Sequence, residues 1–244
     1  MRRVGQLLLF YLMLLWLGAM LLLGNIACLP LVLAPRAVRE PFLQGCISRT
    51  FDLFLGGCAR CGLMTLDLSA LDALNGQQGL VLVANHPSMI DVFLVISRVR
   101  RGICLMKSSL MGNLFLAAGA WLAGYISNRH IDQLIKRAAA AVGQGKTLLV
   151  FPEGTRTVSW PLNELKPGAA LIAKRAQAPL QTIVLETNSM YLAKGWPIWR
   201  PPVFPLMYRA RLGARLMPGA SVPDTVQALR TQLQHELADA ILPR

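Results

Sequence analysis

An α/β fold, a mainly parallel sheet flanked by helices, is predicted by three observations. Short, largely apolar runs of strand length, such as Leu80–Ala84, Lys146–Phe151 and Leu180–Glu186, alternate with segments of helical periodicity. Their apolar residues follow one another instead of alternating with polar ones, which suits strands covered on both faces. The two stretches richest in chemistry each follow directly on such a run, the place where α/β sheets usually carry ligands. Ahead of this domain the sequence predicts an N-terminal membrane-inserted helix or re-entrant hairpin.

Val4–Ala34 carries no charged residue and is flanked by Arg2, Arg3, Arg36 and Arg39. A single helix over these 31 residues would be about 46 Å long, beyond the roughly 30 Å hydrocarbon core of a bilayer. Gly18, Gly24, Asn25 and Pro30 therefore predict a helix of about 20 residues that ends near Leu23 or Cys28. The apolar stretch exceeds the roughly 7–15 residues usual in a cleavable signal, so insertion is expected. Positive charge at both ends leaves a single span and a re-entrant hairpin open. Over residues 42–66, Phe42, Leu43, Ile47, Phe51, Phe54 and Leu55 recur at three- and four-residue steps, which predicts an amphipathic helix, interfacial or packed on the domain.

After Asn75-Gly76 the elements follow in turn. Leu80–Ala84 reads as a strand, Ser88–Arg98 as a helix, Gly102–Lys107 as a strand and Gly112–Ala123 as a helix. Ile131–Gln144 is a helix, with four consecutive alanines and Gly143 as its stop. Lys146–Phe151 is a strand, Gly168–Ala176 a helix and Leu180–Glu186 a strand. Val203–Leu216 alternates apolar residues with arginines, which predicts antiparallel edge strands. Ser221, followed by Pro223-Asp224, caps a terminal amphipathic helix reaching Ile241.

Of the 244 residues, 54% are hydrophobic and 15% charged, and the formal net charge is +13. The basic residues are scattered and accompany no helix-turn-helix, zinc-finger or RNA-recognition pattern, so nucleic acid is not the expected partner. An anionic membrane surface accounts for both the charge and the apolarity. Five cysteines, at 28, 46, 58, 61 and 104, fit free thiols in a reducing compartment. Cys58-Ala-Arg-Cys61 has redox-like spacing but no second pair and no histidine beside it. His130 and His235 lie outside any acidic cluster, and no metal site is expected.

His86-Pro87-Ser88-Met89-Ile90-Asp91 places an imidazole and a carboxylate five residues apart where a strand turns into a helix. A carboxylate on the far ring nitrogen fixes the tautomer of a histidine and stabilises its imidazolium. Alone, the spacing equally describes a loop histidine and a helix-capping acid. The strand Lys146–Phe151 runs into Pro152-Glu153-Gly154-Thr155-Arg156, a turn with an acid, a glycine that admits close approach, a hydroxyl and a guanidinium suited to phosphate oxygens.

Both motifs together, in this order and each ending an apolar strand, resemble the glycerolipid acyltransferase family, whose type member is lysophosphatidic acid acyltransferase. The resemblance covers roughly residues 75 to 190. It implies His86 as general base and Asp91 as the acid that orients it. Glu153, Gly154, Thr155 and Arg156 are implied as acceptor-binding, with Arg156 on the phosphate. Gly124-Tyr125-Ile126-Ser127-Asn128-Arg129 is similar to a family segment ending in Asp-Arg, with asparagine in place of the aspartate. Lys107 matches a recurrent family lysine, and Thr182 stands where the family usually has proline.

The resemblance further implies acyl transfer from acyl-CoA or acyl-ACP to the hydroxyl of 1-acylglycerol 3-phosphate, with no cofactor. The alternatives are the same chemistry on another amphiphilic acceptor, transfer to water, or a non-catalytic membrane-binding accessory protein. Ser88 is expected to be structural. The expected organisation is an anchor over residues 1–40, an amphipathic linker helix over 41–70 and an acyltransferase domain over 71–244. The expected location is a membrane, the bacterial inner membrane, with the domain on the cytosolic side where thioester donors are found.

Overall fold

The computed structural model describes residues 2–127 and 131–243. Helix α1 (Arg2–Ala27) is followed by a 3-10 turn at Leu29–Leu33 and by α2 (Arg36–Arg60). Strand β1 (Met64–Asp67) precedes β2 (Val81–Ala84), α3 (Asp91–Arg98), β3 (Gly102–Met106), α4 (Ala117–Leu122) and β4 (Ile126–Ser127). Then come α5 (Ile131–Gly143), β5 (Thr147–Val150), α6 (Gly168–Ala176), β6 (Leu180–Thr187), β7 (Leu206–Leu216) and α7 (Val222–Leu237). The strands form a seven-stranded sheet in the order β1-β7-β6-β2-β5-β3-β4. The run from β6 to β4 is parallel, β7 is antiparallel to β6, and β1 is parallel to β7.

Covering on both faces explains the largely apolar strands. Leu82, Ala84, Leu149, Ile183 and Leu185 share a core with residues of α1, α2 and α3. Val81, Val83, Leu148, Val150, Leu180 and Val184 share the other with residues of α5, α6 and α7. Each valine, leucine or isoleucine so buried contributes about 1.5–3 kcal/mol relative to exposure. This two-sided burial sets β2 at the centre of the sheet, and with it the loop that carries His86.

Several elements differ from the sequence expectation. The single strand β7 lies inside the sheet, between β6 and β1, where antiparallel edge strands were expected; the edge falls to β1. β1 comes from residues the sequence assigned to a linker helix. Gly62, at φ 71°, stops α2, with Leu63 N–H bonded to Cys58 O and Gly62 N–H to Ala59 O, a glycine-based C-terminal closure. The helix expected over Gly112–Ala123 shrinks to Ala117–Leu122 because the Asn113 side chain accepts from Phe115 N at 2.8 Å and holds a turn instead. Helix α7 carries the expected cap, a reciprocal Ser221–Asp224 box.

Helix α1 ends at Ala27, next to Cys28, the later of the two expected limits, and runs through Asn25. That side chain fastens α1 to the domain: Oδ1 accepts from Gly119 N at 2.7 Å, and Nδ2 donates to Leu21 O and Phe115 O. Phe10 and Leu17 are buried in the domain core. The Trp16 ring lies over Gly57 of α2, where a Cβ would come within 2.7 Å of it. α1 therefore folds back along α2 and the domain, while Val4, Leu8, Leu12 and Leu15, at helical spacing, form an exposed stripe. Cys58 is buried and its thiol is pushed up to about 12, which removes the redox reading of its spacing with Cys61.

Candidate active site

Three loops at one rim of the sheet build the site, from the carboxyl ends of the adjacent strands β6, β2 and β5. Asn85 ends β2 by using its side chain as a backbone substitute: Oδ1 accepts from Leu185 N at 2.7 Å and Nδ2 donates to Leu185 O at 2.9 Å. His86 follows on a chain already fixed against β6. Its ring stacks on Phe151 from the end of β5, with centroids 4.0 Å apart and planes 19° apart.

Nδ1 of His86 lies 2.8 Å from Oδ2 of Asp91, and the same oxygen accepts from Ser88 N at 2.7 Å. This explains why α3 starts at Asp91 and not at Ser88: residues 88–90 form the turn that folds the carboxylate back onto the ring. The Asp91 side chain is wholly buried, and 15% of the His86 side chain remains exposed. Burial pushes the Asp91 carboxyl above its ordinary range, while the imidazole, the Ser88 amide and the Arg156 charge pull it back in part. A donor role for Nδ1 follows from the ionised carboxylate, and Nε2 then carries the free lone pair.

Glu153 is buried at the other side of the same loop. Its Oε1 accepts from His86 N at 3.0 Å and from the Thr157 hydroxyl at 2.8 Å, and Oε2 accepts from Asn163 N at 2.9 Å. Thr157 N–H in turn donates to His86 O at 2.8 Å, so both polar groups of the His86 backbone are held by the turn after β5. Burial pushes the Glu153 carboxyl up, and the three donors offset only part of that. Glu153 thus binds the protein's own groups and holds the two motifs together. We expect Glu153→Gln to destabilise the fold by about 1–3 kcal/mol in a denaturant titration, since one of three converging donors would face an amide NH₂. An unchanged midpoint would show that these bonds are not made in solution.

Arg156 points from this turn to the loop after β6. Its Nη1 donates to Leu192 O at 2.9 Å and to Ala193 O at 3.1 Å. Leu192 adopts φ 59°, a left-handed conformation costly for a branched side chain, and its carbonyl also accepts from Met89 N. Ser88 Oγ donates to Tyr191 O at 2.8 Å, a structural bond as expected of this serine. Anchored through one nitrogen, Arg156 keeps Nε and Nη2, the edge of the guanidinium that pairs with a two-oxygen anion.

The other sequence candidates are less concentrated. Gly154 and Thr155 are exposed on the turn, and Gly154 has φ 67° with the Lys166 side chain over it. Lys107 is exposed after β3, on the same rim but two strands from β2. Arg129 lies outside the described residues. Thr182 is buried near the opposite end of β6, its hydroxyl 2.8 Å from Glu236 and 3.1 Å from Ala214 O, so this departure from the family pattern belongs to the fold. Asn163 and the segment 188–193 were not singled out in the sequence. A polar Asn163 inside a segment closing on the Pro-Glu-Gly turn was the available signal for the first; nothing local marked the second.

A family model described as Acyltransferase matches residues 66–186, which include both motifs and the residues that join them. The chain belongs to the acyltransferase family. Mouse 1-acyl-sn-glycerol-3-phosphate acyltransferase alpha is 27% identical over 171 residues, covering 66% of this chain and 58% of that one. The 1-acyl-sn-glycerol-3-phosphate acyltransferase of Helicobacter pylori is 25% identical over 167 residues, covering 64% and 67%. This chain thus matches less than two thirds of the length of the mouse relative. In fold, it resembles the crystal structure of the 1-acyl-sn-glycerophosphate acyltransferase from Thermotoga maritima, with a TM-score of 0.65 and 18% identity, over 98% of this chain and 97% of that one.

Proposed function

We propose that the chain transfers a fatty acyl group from acyl-CoA or acyl-ACP to the hydroxyl of 1-acylglycerol 3-phosphate at a membrane surface, forming phosphatidic acid. The observation that carries this reading is the His86–Asp91 pair, which engages Nδ1 and leaves Nε2 for the substrate, on the same rim of the sheet as Arg156. Nε2 takes the proton of the acceptor hydroxyl as its oxygen attacks the thioester carbonyl. The tetrahedral intermediate collapses, the carbon–sulfur bond breaks, and the imidazolium returns the proton to the departing thiolate. Asp91, ionised, stabilises the imidazolium between these steps. Arg156 holds the acceptor phosphate; Gly154, at φ 67°, shapes the turn that presents it. Lys107, Arg129 and Thr155 are proposed as further acceptor contacts.

No prosthetic group enters these steps, since the donor brings its activated acyl group. The acceptor named for the mouse and Helicobacter pylori relatives and the guanidinium edge of Arg156 support the phosphate. The domain is placed on the cytosolic side because its donors are there, with α1 at the membrane.

An acceptor screen on the purified full chain tests the reading. Thiol release from acyl-CoA and acyl-ACP is expected only with acceptor present, and fastest with 1-acylglycerol 3-phosphate. Release at the same rate without acceptor would make the protein a hydrolase, and no release with any acceptor would make it a non-catalytic member of its family.

A further inference from the structure

Between β6 and β7 the sequence Trp196-Pro-Ile-Trp-Arg-Pro-Pro-Val-Phe-Pro205 forms an irregular loop that leaves Ile198, Trp199 and Val203 outside while Trp196 and Phe204 pack on the core. Trp199 is 69% exposed, Val203 87% and Ile198 42%. The loop is nevertheless built. Trp196 Nε1 donates to Arg200 O at 2.9 Å, the Arg200 guanidinium lies 4.6 Å from the centre of the Trp196 ring, and Arg200 N bonds to Pro197 O. Its four prolines fix φ and remove four backbone donors, so the loop exposes few amides that need water.

This loop continues the exposed surface of α1. Tyr11, beside the stripe of Val4, Leu8, Leu12 and Leu15, donates from its hydroxyl to Trp199 O at 3.2 Å, and Phe10 packs against Phe204 with centroids 5.5 Å apart. Exposed tryptophan with flanking Lys194 and Arg200 is the composition of a membrane–water interface: the ring seats at headgroup level and the cations meet anionic lipid. A protein partner would explain the apolar residues but neither their continuity with an apolar helix of this length nor the net charge of +13.

We propose that residues 196–205 are a second membrane-seating element, with Trp199 and Val203 entering the anionic leaflet that α1 contacts. This rests on the membrane location proposed above. The loop begins three residues after Ala193, whose carbonyl anchors Arg156. Seating it brings the head-group end of the site to the lipid surface, so that a phospholipid acceptor reaches Arg156 without crossing water.

The test uses the full chain with vesicles of phosphatidylcholine and phosphatidylglycerol carrying brominated acyl chains. Subtracting the emission of Trp199→Phe from that of the unaltered protein isolates Trp199. That component is expected to be quenched by the brominated lipid and shielded from aqueous acrylamide. Vesicle-bound protein whose Trp199 stays open to acrylamide and untouched by bromine would overturn this inference alone; failure to bind vesicles would overturn it together with the membrane location. Val203→Asp, at an exposed position, is expected to raise the apparent KM several-fold for bilayer-dispersed acceptor and to leave that for a short-chain, monomeric acceptor unchanged. An equal effect on both, or none on either, contradicts the seat.

Discussion

His86→Ala is expected to lower turnover by roughly 100- to 10,000-fold, read as acceptor-dependent thiol release from the donor. The ring is placed by contacts that leave Nε2 the working nitrogen: Phe151 covers one face, Asp91 holds Nδ1, and the backbone is clamped by Glu153 and Thr157. Near-normal turnover in a folded His86→Ala protein would remove the mechanism. Asp91→Ala is expected to abolish transfer as well. Asp91→Asn separates orientation from charge. Its amide oxygen can take the place of Oδ2 and accept from both Ser88 N–H and Nδ1–H, so the tautomer survives, but the imidazolium loses its counter-charge and turnover stays severely impaired.

The same substitution is expected to stabilise the fold. Burial raises the Asp91 carboxyl above its ordinary value of 3.8, so the native state holds a proton there more readily than the unfolded chain does. As pH rises through the interval between the unfolded and folded values, ionising this group costs stability, and the cost persists at neutral pH. Asparagine removes it. Its NH₂ then replaces Oδ1, a buried atom without a partner among the described residues, which costs about 1–3 kcal/mol, less than holding an ion at a wholly buried site. Asp91→Asn should therefore melt higher than the unaltered protein at neutral pH, with the difference closing as pH falls towards the unfolded value. A lower melting temperature at neutral pH would show that the carboxylate holds the fold together as well as serving the chemistry.

What was legible in the sequence follows from how local each signal is. β2, β5 and β6 were readable because burial on both faces leaves short, largely apolar runs, and α7 because Ser221 and Asp224 cap it from within four residues. The rim shared by His86 and Arg156 followed from the parallel topology alone. The position of β7 did not: alternating arginines read as an edge, yet Arg211 spends its charge on the buried Glu186 of the neighbouring strand. The role of Glu153 was hidden for the same reason. An acid in a loop reads as a ligand-binding group, and only the fold reveals the three donors from residues 86, 157 and 163 that converge on it. Leu192 carried no signal, since its left-handed backbone serves a carbonyl that accepts from Arg156, 36 residues away in sequence, and from Met89 N–H in the turn after β2.

Arg156→Lys is expected to raise the apparent KM for 1-acylglycerol 3-phosphate by roughly 10- to 150-fold, the equivalent of about 1.5–3 kcal/mol for a charge-assisted contact, and to affect the donor much less. Arginine serves two masters here: Nη1 is committed to the carbonyls of Leu192 and Ala193, and Nε with Nη2 remains for the phosphate. A lysine ammonium is a single point with three donors and cannot span both sets. If it reaches the carbonyls it leaves the head group, and if it turns to the head group it releases the loop that also bonds Met89, two residues from Asp91. With an uncharged acceptor of equal chain length the first loss disappears, so the substitution should matter little there unless the loop is released. Monoacylglycerol thus separates the two costs. If the unaltered protein used that neutral acceptor as well as its phosphorylated counterpart, Arg156 would be a loop anchor only; the phosphate assignment would fall, and the acyl transfer by His86 and Asp91 would stand.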